Sequence, residues 1–213
     1  MCVRHVAPLA ASATVEAGDV LGQAFVDDPL MRYYFEDDQD RSVPVCKTMT
    51  LATGLTLRYG TAFRLNCCAR LAGVALLLPP HVRDFPLSAV VAAVLTTPSL
   101  WRPRALSRHF GVASSVAAHR PRLPCWTLVS LGIKPADQHH GHGSSLLAHV
   151  LQWLPTGSTV CLETDNERNL PLYLRFGFTI TSEFVADEGK GPRTWAMLRF
   201  PEPPQSAEVT VEQ

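Results

Sequence analysis

The sequence has no excess charge of either sign, no C-x-x-C pair and no long apolar run. Its 213 residues contain 19 lysines and arginines and 19 aspartates and glutamates, so the formal net charge is +0. No overall field therefore draws the chain to nucleic acid or to an anionic membrane surface. No apolar stretch reaches the roughly 18 residues that a membrane-spanning helix needs. We expect a protein with no nucleic-acid partner and no membrane partner.

The composition predicts one packed domain. Hydrophobic residues make up 46% of the chain and charged residues 18%, proportions that are typical of globular proteins. We expect residues 1–200 to form a single domain and residues 201–213, with three prolines, three glutamates and no lysine or arginine, to be a flexible tail. The six cysteines include no C-x-x-C pair, so we expect reduced, partly buried thiols in a cytoplasmic protein.

Hydrophobic periodicity predicts an α/β (α+β) chain. A first strand VRHVAPL precedes a helix capped by Thr14, and a short aromatic helix MRYYF follows. A long amphipathic helix over 42–60, two paired strands and two helices within 86–118 come next. From Pro124 the segments read strand, helix, strand, helix, strand, strand, with WTLVSLGI as the first of these strands.

The turn after WTLVSLGI is typical of an anion site. The strand ends at Ile133, and glycines open a helix whose free N–H groups and positive dipole end point outward. Gly141 and Gly143 lack the Cβ atoms that would keep a pyrophosphate from the backbone. No Lys-Ser/Thr pair follows as in a P-loop, and Leu146 stands where a dinucleotide-binding motif needs glycine.

Two ordered motifs carry a resemblance to a known family. The pattern Q-x-x-G-x-G, here Gln138, Gly141 and Gly143, resembles the acetyl-CoA pyrophosphate loop of the GNAT superfamily of N-acetyltransferases. After the next strand, ETDNERNLPLYLRFGF looks like the following helix of that superfamily, with Asn166 seven residues before Tyr173. The segments HRPRLPCW, QHHGHG, RNLPLYLRFGF and GPRTWAM further resemble the puromycin N-acetyltransferase branch.

The resemblance implies a GNAT-like acyl-CoA N-acyltransferase fold, a central, mostly antiparallel mixed sheet with flanking helices, and acetyl-CoA as co-substrate. The strand before the turn is expected to separate from its neighbour so that backbone groups pair with the pantetheine arm and one amide N–H near Leu131 stabilises the oxyanion. The implied cofactor-binding residues are Leu131, Gly132, Ile133, Gln138, His139, Gly141, His142, Gly143, Ser144, Asn166 and Tyr173.

Two of these positions leave alternatives open. His139 stands where many relatives have glycine, and with His140 and His142 it could hydrogen-bond phosphate or lie on the rim of the site. Metal binding is the competing interpretation, but no cysteine or carboxylate pair accompanies the histidines, so we expect no metal. Asn166 could bond the cofactor or cap a helix.

Two residues are candidates for proton transfer. The phenol of Tyr173 could protonate the departing thiolate as general acid. Glu163, at the end of the strand STVCLET, is the candidate general base, although it could equally be a surface carboxylate or a partner of Arg168. WTLVSLGI has no carboxylate, which favours an acceptor amine of low pKa and a water-relayed base: an amine with a pKa near 8 is about one-tenth neutral at pH 7.

An acidic and aromatic cluster after the first helix predicts the acceptor site. Asp27 and Asp28 could attract a cationic amine while the rings of Tyr33 and Tyr34 cover an aromatic body. We therefore expect an acetyl-CoA-dependent N-acetyltransferase, a monomer or homodimer, acting on a small-molecule primary amine such as an aminonucleoside like puromycin. The alternatives are another amine, a peptide N-terminus, or a non-catalytic acyl-CoA-binding sensor.

Overall fold

The computed structural model describes residues 4–36, 38–97 and 100–201, which contain a seven-stranded mixed sheet. The strands lie in the order β1-β2-β3-β4-β5-β7-β6, and only β4 and β5 are parallel. The mostly antiparallel mixed sheet expected from the sequence is therefore confirmed. The strands are β1 (Arg4–Pro8), β2 (Thr61–Cys67), β3 (Arg70–Leu78), β4 (Trp126–Ile133), β5 (Val160–Thr164), β6 (Thr179–Val185) and β7 (Arg193–Arg199).

Seven helices flank this sheet within the described ranges. They are α1 (Thr14–Phe25), α2 (Pro29–Tyr34), α3 (Ser42–Tyr59), α4 (Leu87–Leu95), α5 (Pro103–His119), α6 (His142–Trp153) and α7 (Leu170–Arg175). Short 3₁₀ turns precede α1, α6 and α7, and a four-residue turn at Ala186–Gly189 joins β6 to β7. Among these elements, no helix has both the length and the apolar character needed to cross a membrane.

The order and type of the elements match the expectations from hydrophobic periodicity. One detail is wrong: Thr14 does not cap α1, because Ala13 holds the N-cap position and the Thr14 hydroxyl donates to the Ala11 carbonyl at 2.6 Å. The expected flexible tail falls almost wholly on residues 202–213, which lie outside the described residues.

The central strand β3 is buried on both faces. Val74 and Leu76 pack in a cluster with α1 and α3, whereas Ala75 and Leu77 pack in a second cluster with α6. This explains why the sequence of β3 is almost wholly apolar instead of alternating. The two clusters fix the sheet between two helical layers.

Helices α1 and α3 approach very closely. A Cβ atom on Gly18 would lie 2.6 Å from the Cα atom of Thr50, and one on Gly22 would lie 2.8 Å from the Cα atom of Cys46. Real Cβ atoms do not come so near to backbone, so only glycine permits this helix crossing. Helix α2, which follows α1, packs against α5.

The parallel strands β4 and β5 pair only at their beginnings. Trp126 lies opposite Val160 and Thr127 opposite Cys161, and beyond these residues the described strands are not paired. The register of β4 against β3 shifts after Leu128, so Val129 is an extra residue in the ladder. The expected separation of β4 from its neighbour is thus confirmed, and it opens a cleft between the two strands.

The expectation of reduced thiols is wrong for Cys67, Cys68, Cys125 and Cys161, which are disulfide-bonded. Cys125, next to β4, and Cys161, in β5, form a disulfide with their Cα atoms 6.0 Å apart. They are 36 residues apart in sequence, and only the parallel pairing of the two strands brings them together. Cys46 carries a free thiol.

Candidate active site

A cavity of about 480 Å³ opens where β4 and β5 separate. This volume lies within the range of small-molecule sites. One wall comes from β4 and β5 and the other from α2, α5 and the loop before α4, with α7 closing one end. Polar, aromatic and apolar side chains line the cavity, among them Asp28, Tyr34, Asp84, Val90, His109, Phe110, Arg120, Ser130, Leu131, Glu163, Asp165, Tyr173 and Thr194.

Two partly buried carboxylates, Asp28 and Asp165, face the cavity without a cationic partner among the described residues. Asp28 caps α2, accepting a hydrogen bond from the Leu30 backbone N–H at 3.1 Å. Burial raises the pKa of Asp28 to about 6, although that hydrogen bond opposes the rise. Asp165 accepts a hydrogen bond from the Thr194 hydroxyl. Burial raises the pKa of Asp165 to about 7, opposed by the Thr194 hydrogen bond and assisted by the charges of Asp28 and Glu163.

Glu163 lies in the same cavity but is held in an ion pair. Arg120 Nε donates to Glu163 Oε1 at 3.1 Å, and both side chains are largely buried. Arg120 also donates to Asp84 at 2.7 Å. Glu163 therefore has an arginine partner, as one of the two alternatives expected, but this partner is Arg120 at the end of α5 and not Arg168.

The phenol of Tyr173 lies in the cavity wall on α7, and the side chain is buried. The ring packs edge-on against Phe178, with ring centroids 5.8 Å apart. Burial raises the pKa of the phenol, and the nearby Asp28 carboxylate raises it further. The phenol is therefore protonated at neutral pH and available as a proton donor.

The glycine turn follows Ile133, the last residue of β4, and opens α6. Gly141 is the N-cap with φ of 76°, a left-handed conformation that suits glycine. His139 also has a positive φ, 62°, which explains why glycine suits this position in proteins with the same turn. A Cβ on Gly143 would make only ordinary contacts, the nearest at 3.9 Å to the side chains of Leu131, Ile133 and Leu172.

Cationic and unpaired polar groups surround the start of α6. His142 is buried with Nδ1 lacking a hydrogen-bond partner among the described residues. Burial lowers the pKa of His142, and the charge of Arg4 lowers it further. Arg4 itself donates to the His140 carbonyl at 2.8 Å and to the Ser145 hydroxyl at 3.2 Å. An orphan imidazole nitrogen and the free N–H groups of the first turn of α6 together fit an anionic group such as a pyrophosphate.

Three expected cofactor residues have their side chains engaged within the protein. Gln138 Nε2 donates to the Ile133 carbonyl at 3.0 Å, and the Ser144 hydroxyl accepts from Arg175 at 3.1 Å. Asn166 Oδ1 accepts from the Arg168 backbone N–H, so Asn166 caps the 3₁₀ turn before α7. Leu131, Gly132 and Ile133 lie on the part of β4 that pairs with β3 on one side and is not paired with β5 on the other.

The histidines of QHHGHG form no metal site with their neighbours. The rings of His140 and His142 stack with centroids 5.9 Å apart. Among residues 4–36, 38–97 and 100–201, no group of three or more histidines, cysteines, aspartates or glutamates is placed to hold a metal ion.

Of the expected acceptor residues, Asp28 and Tyr34 line the cavity and Tyr33 does not. The Tyr33 hydroxyl donates to Asp187, and its ring lies under the guanidinium of Arg108 at 5.0 Å. Consecutive residues of the short helix α2 point in different directions, so only one of the two tyrosines can face the cavity. Asp27 also lies elsewhere, in an exposed ion pair with Arg32 at 2.8 Å.

The sequence analysis missed Asp165, although a signal for it was present. Side chains alternate along a strand, so residues two apart at a strand end share one face. Asp165 follows Glu163 by two residues in the segment LETD. Both carboxylates do line the cavity.

The acetyltransferase (GNAT) family model matches residues 107–178, about a third of the chain. This segment runs from α5 to the end of α7 and contains the separated strand, the glycine turn, the two β5 carboxylates and Tyr173. The matched segment therefore contains β4, β5, α6 and α7, whereas α2, α4 and β7, which also line the cavity, and Arg4 of β1 lie outside it.

Solved structures share the fold over nearly the whole chain. A histone acetyltransferase HPA2 and related acetyltransferase from Corynebacterium glutamicum is 23% identical, with a TM-score of 0.69, 96% of this chain covered and 99% of that one. Arylalkylamine N-acetyltransferase 2 from Aedes aegypti is 10% identical, with a TM-score of 0.63 and coverage of 92% and 98%. Ribosomal-protein-S18-alanine N-acetyltransferase from Escherichia coli is 15% identical, with a TM-score of 0.53 and coverage of 99% and 100%.

The described chain therefore has a GNAT-like fold, as the sequence motifs predict. Residues 107–178 are similar to the acetyltransferase (GNAT) family, and the chain shares its fold with solved acetyltransferases.

Proposed function

We propose that this protein transfers an acetyl group from acetyl-CoA directly to the primary amine of a small molecule bound in the cavity between β4 and β5. The observation that carries the proposal is the pair of partly buried carboxylates, Asp28 and Asp165, which face the cavity without a cationic partner among the described residues. Buried charges are stable when they are paired. A protonated amine supplies the missing charge.

Acetyl-CoA as co-substrate supplies an acetyl group that is activated as a thioester. The start of α6, with His142 and Arg4, binds the pyrophosphate of acetyl-CoA. The part of β4 that is not paired with β5 binds the pantetheine arm. The backbone N–H near Leu131 stabilises the oxyanion that develops during transfer. These assignments place the reacting end of the co-substrate beside Ser130 and Leu131, at the wall of the cavity.

Asp165 and Tyr173 carry the two proton transfers. A general base works best when its pKa lies near the operating pH, and that of Asp165 is about 7. Its carboxylate takes the proton of the bound ammonium group, directly or through water. The protonated phenol of Tyr173 then gives its proton to the thiolate as the carbon–sulfur bond breaks. The nitrogen loses its second proton as the amide forms, and this proton restores the phenol through water, while Asp165 releases its proton to solvent.

Glu163 is the second candidate for the base. Its carboxylate is occupied by Arg120, so taking up a proton there requires that ion pair to break. Asp165 needs no such rearrangement, which favours it as the base and gives Glu163 the role of holding Arg120 and Asp84 at the rim of the cavity.

An aminonucleoside such as puromycin is the first candidate acceptor. The segments HRPRLPCW, QHHGHG, RNLPLYLRFGF and GPRTWAM support this choice by their resemblance to the puromycin N-acetyltransferase branch. Another small amine or a peptide N-terminus is the second candidate, because the structural neighbours are named for arylalkylamines and for an alanine N-terminus. A cytoplasmic location and a monomeric or homodimeric state stay predictions.

Thiol release from acetyl-CoA, measured with puromycin and then with a library of primary amines, tests the proposal. We expect release with at least one amine, and Asp165→Asn should lower kcat/KM about 100-fold. Asp19→Asn, an exposed aspartate on α1, is the matched control and should change nothing. Binding of acetyl-CoA without release from any amine would replace this function with that of an acyl-CoA sensor.

A further inference from the structure

A second cavity, of about 290 Å³, lies between α3, α4 and α5. Most of its lining is hydrocarbon, including Leu51, Val91, Val94, Leu100, Ala105 and Leu106. An apolar cavity of about 150 Å³ is large enough to bind benzene. This cavity therefore has room for an aryl ring together with a short alkyl chain.

The two cavities adjoin. Tyr34, Val90, His109 and Phe110 line both of them. Burial raises the pKa of the Tyr34 phenol and the nearby Asp165 carboxylate raises it further, so this shared wall lies close to the acidic end of the first cavity. A molecule that reaches from Asp165 past Tyr34 would enter the apolar cavity.

The shared wall and α4 are not packed into the core. The Phe110 side chain is 55% exposed, so its ring can turn aside without disturbing buried neighbours. Helix α4 has the sequence LSAVVAAVL and contains no buried residue, and Val91 is 44% exposed. An apolar helix that is left uncovered beside a ligand cavity is typical of a wall that an apolar ligand completes.

We propose that the apolar cavity is a specificity subsite that binds the hydrocarbon or aryl part of the acceptor. The acceptor is then an amphipathic primary amine: its ammonium group pairs with Asp28 and Asp165, and its apolar body passes Tyr34 and Phe110 into the space between α3, α4 and α5. This inference rests on the proposed function, because it assigns the ammonium group to the same carboxylates.

A series of unbranched primary amines, from ethylamine to octylamine, together with 4-phenylbutylamine, tests the subsite. Burial of each methylene group should raise kcat/KM about fourfold until the cavity is filled. Ala105→Phe, which fills the apolar cavity from α5, should remove the advantage of octylamine and leave ethylamine unchanged. Ala118→Phe makes the same change on an exposed face of α5 outside both cavities and is the matched control.

Calorimetric titration of the same amines into the protein saturated with CoA separates this inference from the proposed function. Affinity that rises with chain length and falls only in Ala105→Phe supports the subsite, even where no acetyl group is transferred. Turnover that is independent of chain length, or that Ala105→Phe and Ala118→Phe affect equally, would overturn the subsite and leave the transferase standing. If no amine is turned over, an affinity that does not depend on chain length would by itself overturn the subsite.

Discussion

Tyr173 combines the two properties that a proton donor in this cavity needs. Its phenol reaches the cavity that contains Asp28 and Asp165, and its raised pKa keeps the proton in place at neutral pH. No side-chain hydrogen bond joins this phenol to another described residue, so removing the oxygen breaks no contact within the protein. The residue can therefore be tested without disturbing the fold.

We expect Tyr173→Phe to lower kcat about 100-fold, which is the usual contribution of one positioned acid. The affinity for acetyl-CoA should change little, because the proposed pyrophosphate site at the start of α6 does not use the Tyr173 phenol. Stopped-flow thiol release and equilibrium titration of acetyl-CoA measure the two quantities separately. Tyr59→Phe, at the end of α3 and outside both cavities, serves as the control, and an unchanged kcat in Tyr173→Phe would remove the acid role.

The turn between β4 and α6 isolates one structural element of the site. A Cβ on Gly143 makes only ordinary contacts, the nearest at 3.9 Å, and Gly143 lies in the first turn of α6, where the backbone N–H groups have no partner within the helix. The effect of a substitution should therefore be visible only when the anion is present.

We expect Gly143→Val to leave the melting temperature of the unliganded protein within a few degrees of the wild type. Acetyl-CoA at 100 times its Kd should stabilise the wild type by about 2.7 kcal/mol, and the variant should lose more than half of this gain at the same concentration. Differential scanning calorimetry with and without acetyl-CoA measures the difference. An equal gain in both proteins would mean that the pyrophosphate lies elsewhere.

The crossing of α1 and α3 permits a matched pair of alanine substitutions. A Cβ on Gly18 collides with the backbone of Thr50, whereas a Cβ on Gly54, on the partner helix, meets Thr14 Cγ2 at 3.7 Å, an ordinary contact. Gly18→Ala should destabilise the protein by about 1–3 kcal/mol through overpacking. Gly54→Ala should stabilise it by up to about 1 kcal/mol through helix propensity. Urea unfolding measures both, and equal effects would contradict the close crossing.

Elements were predictable from the sequence because each carries its own periodicity. The buried strand β3, the long helix α3 and the glycine turn before α6 all have local signals, and the separation of β4 followed from the family resemblance. Pairings across the chain have no such signal. The Cys125–Cys161 disulfide and the Arg120–Glu163 ion pair join residues 36 and 43 positions apart. Which of Tyr33 and Tyr34 faces the cavity depends on how α2 packs, and the sequence does not show this packing.

At the scale of the whole molecule, the acidic cavity has a cost in stability. Asp165 has a pKa of about 7 in the folded protein against a reference value of 3.8. Below about pH 4 the carboxyl group is protonated in the folded and the unfolded chain alike. Between about pH 4 and pH 7 the folded chain holds the proton and the unfolded chain has released it, so the free energy of unfolding falls as the pH rises. Above about pH 7 the charge is buried in the folded state, and this loss is complete.

We therefore expect Asp165→Asn to be more stable than the wild type at pH 8 and equally stable at pH 4. A shift of this size corresponds to about 2–4 kcal/mol, or a rise in melting temperature of roughly 4–16 °C for a chain of this length. Thermal melts of the unliganded protein at the two pH values measure it, with Asp19→Asn as the control that should move at neither. A variant with the same gain at both pH values would mean that the introduced asparagine improves packing, and one with no gain would mean that water reaches the carboxylate. Since the same substitution removes the proposed base, a gain in stability together with a loss of turnover is the result that a cavity built to receive a cationic amine requires.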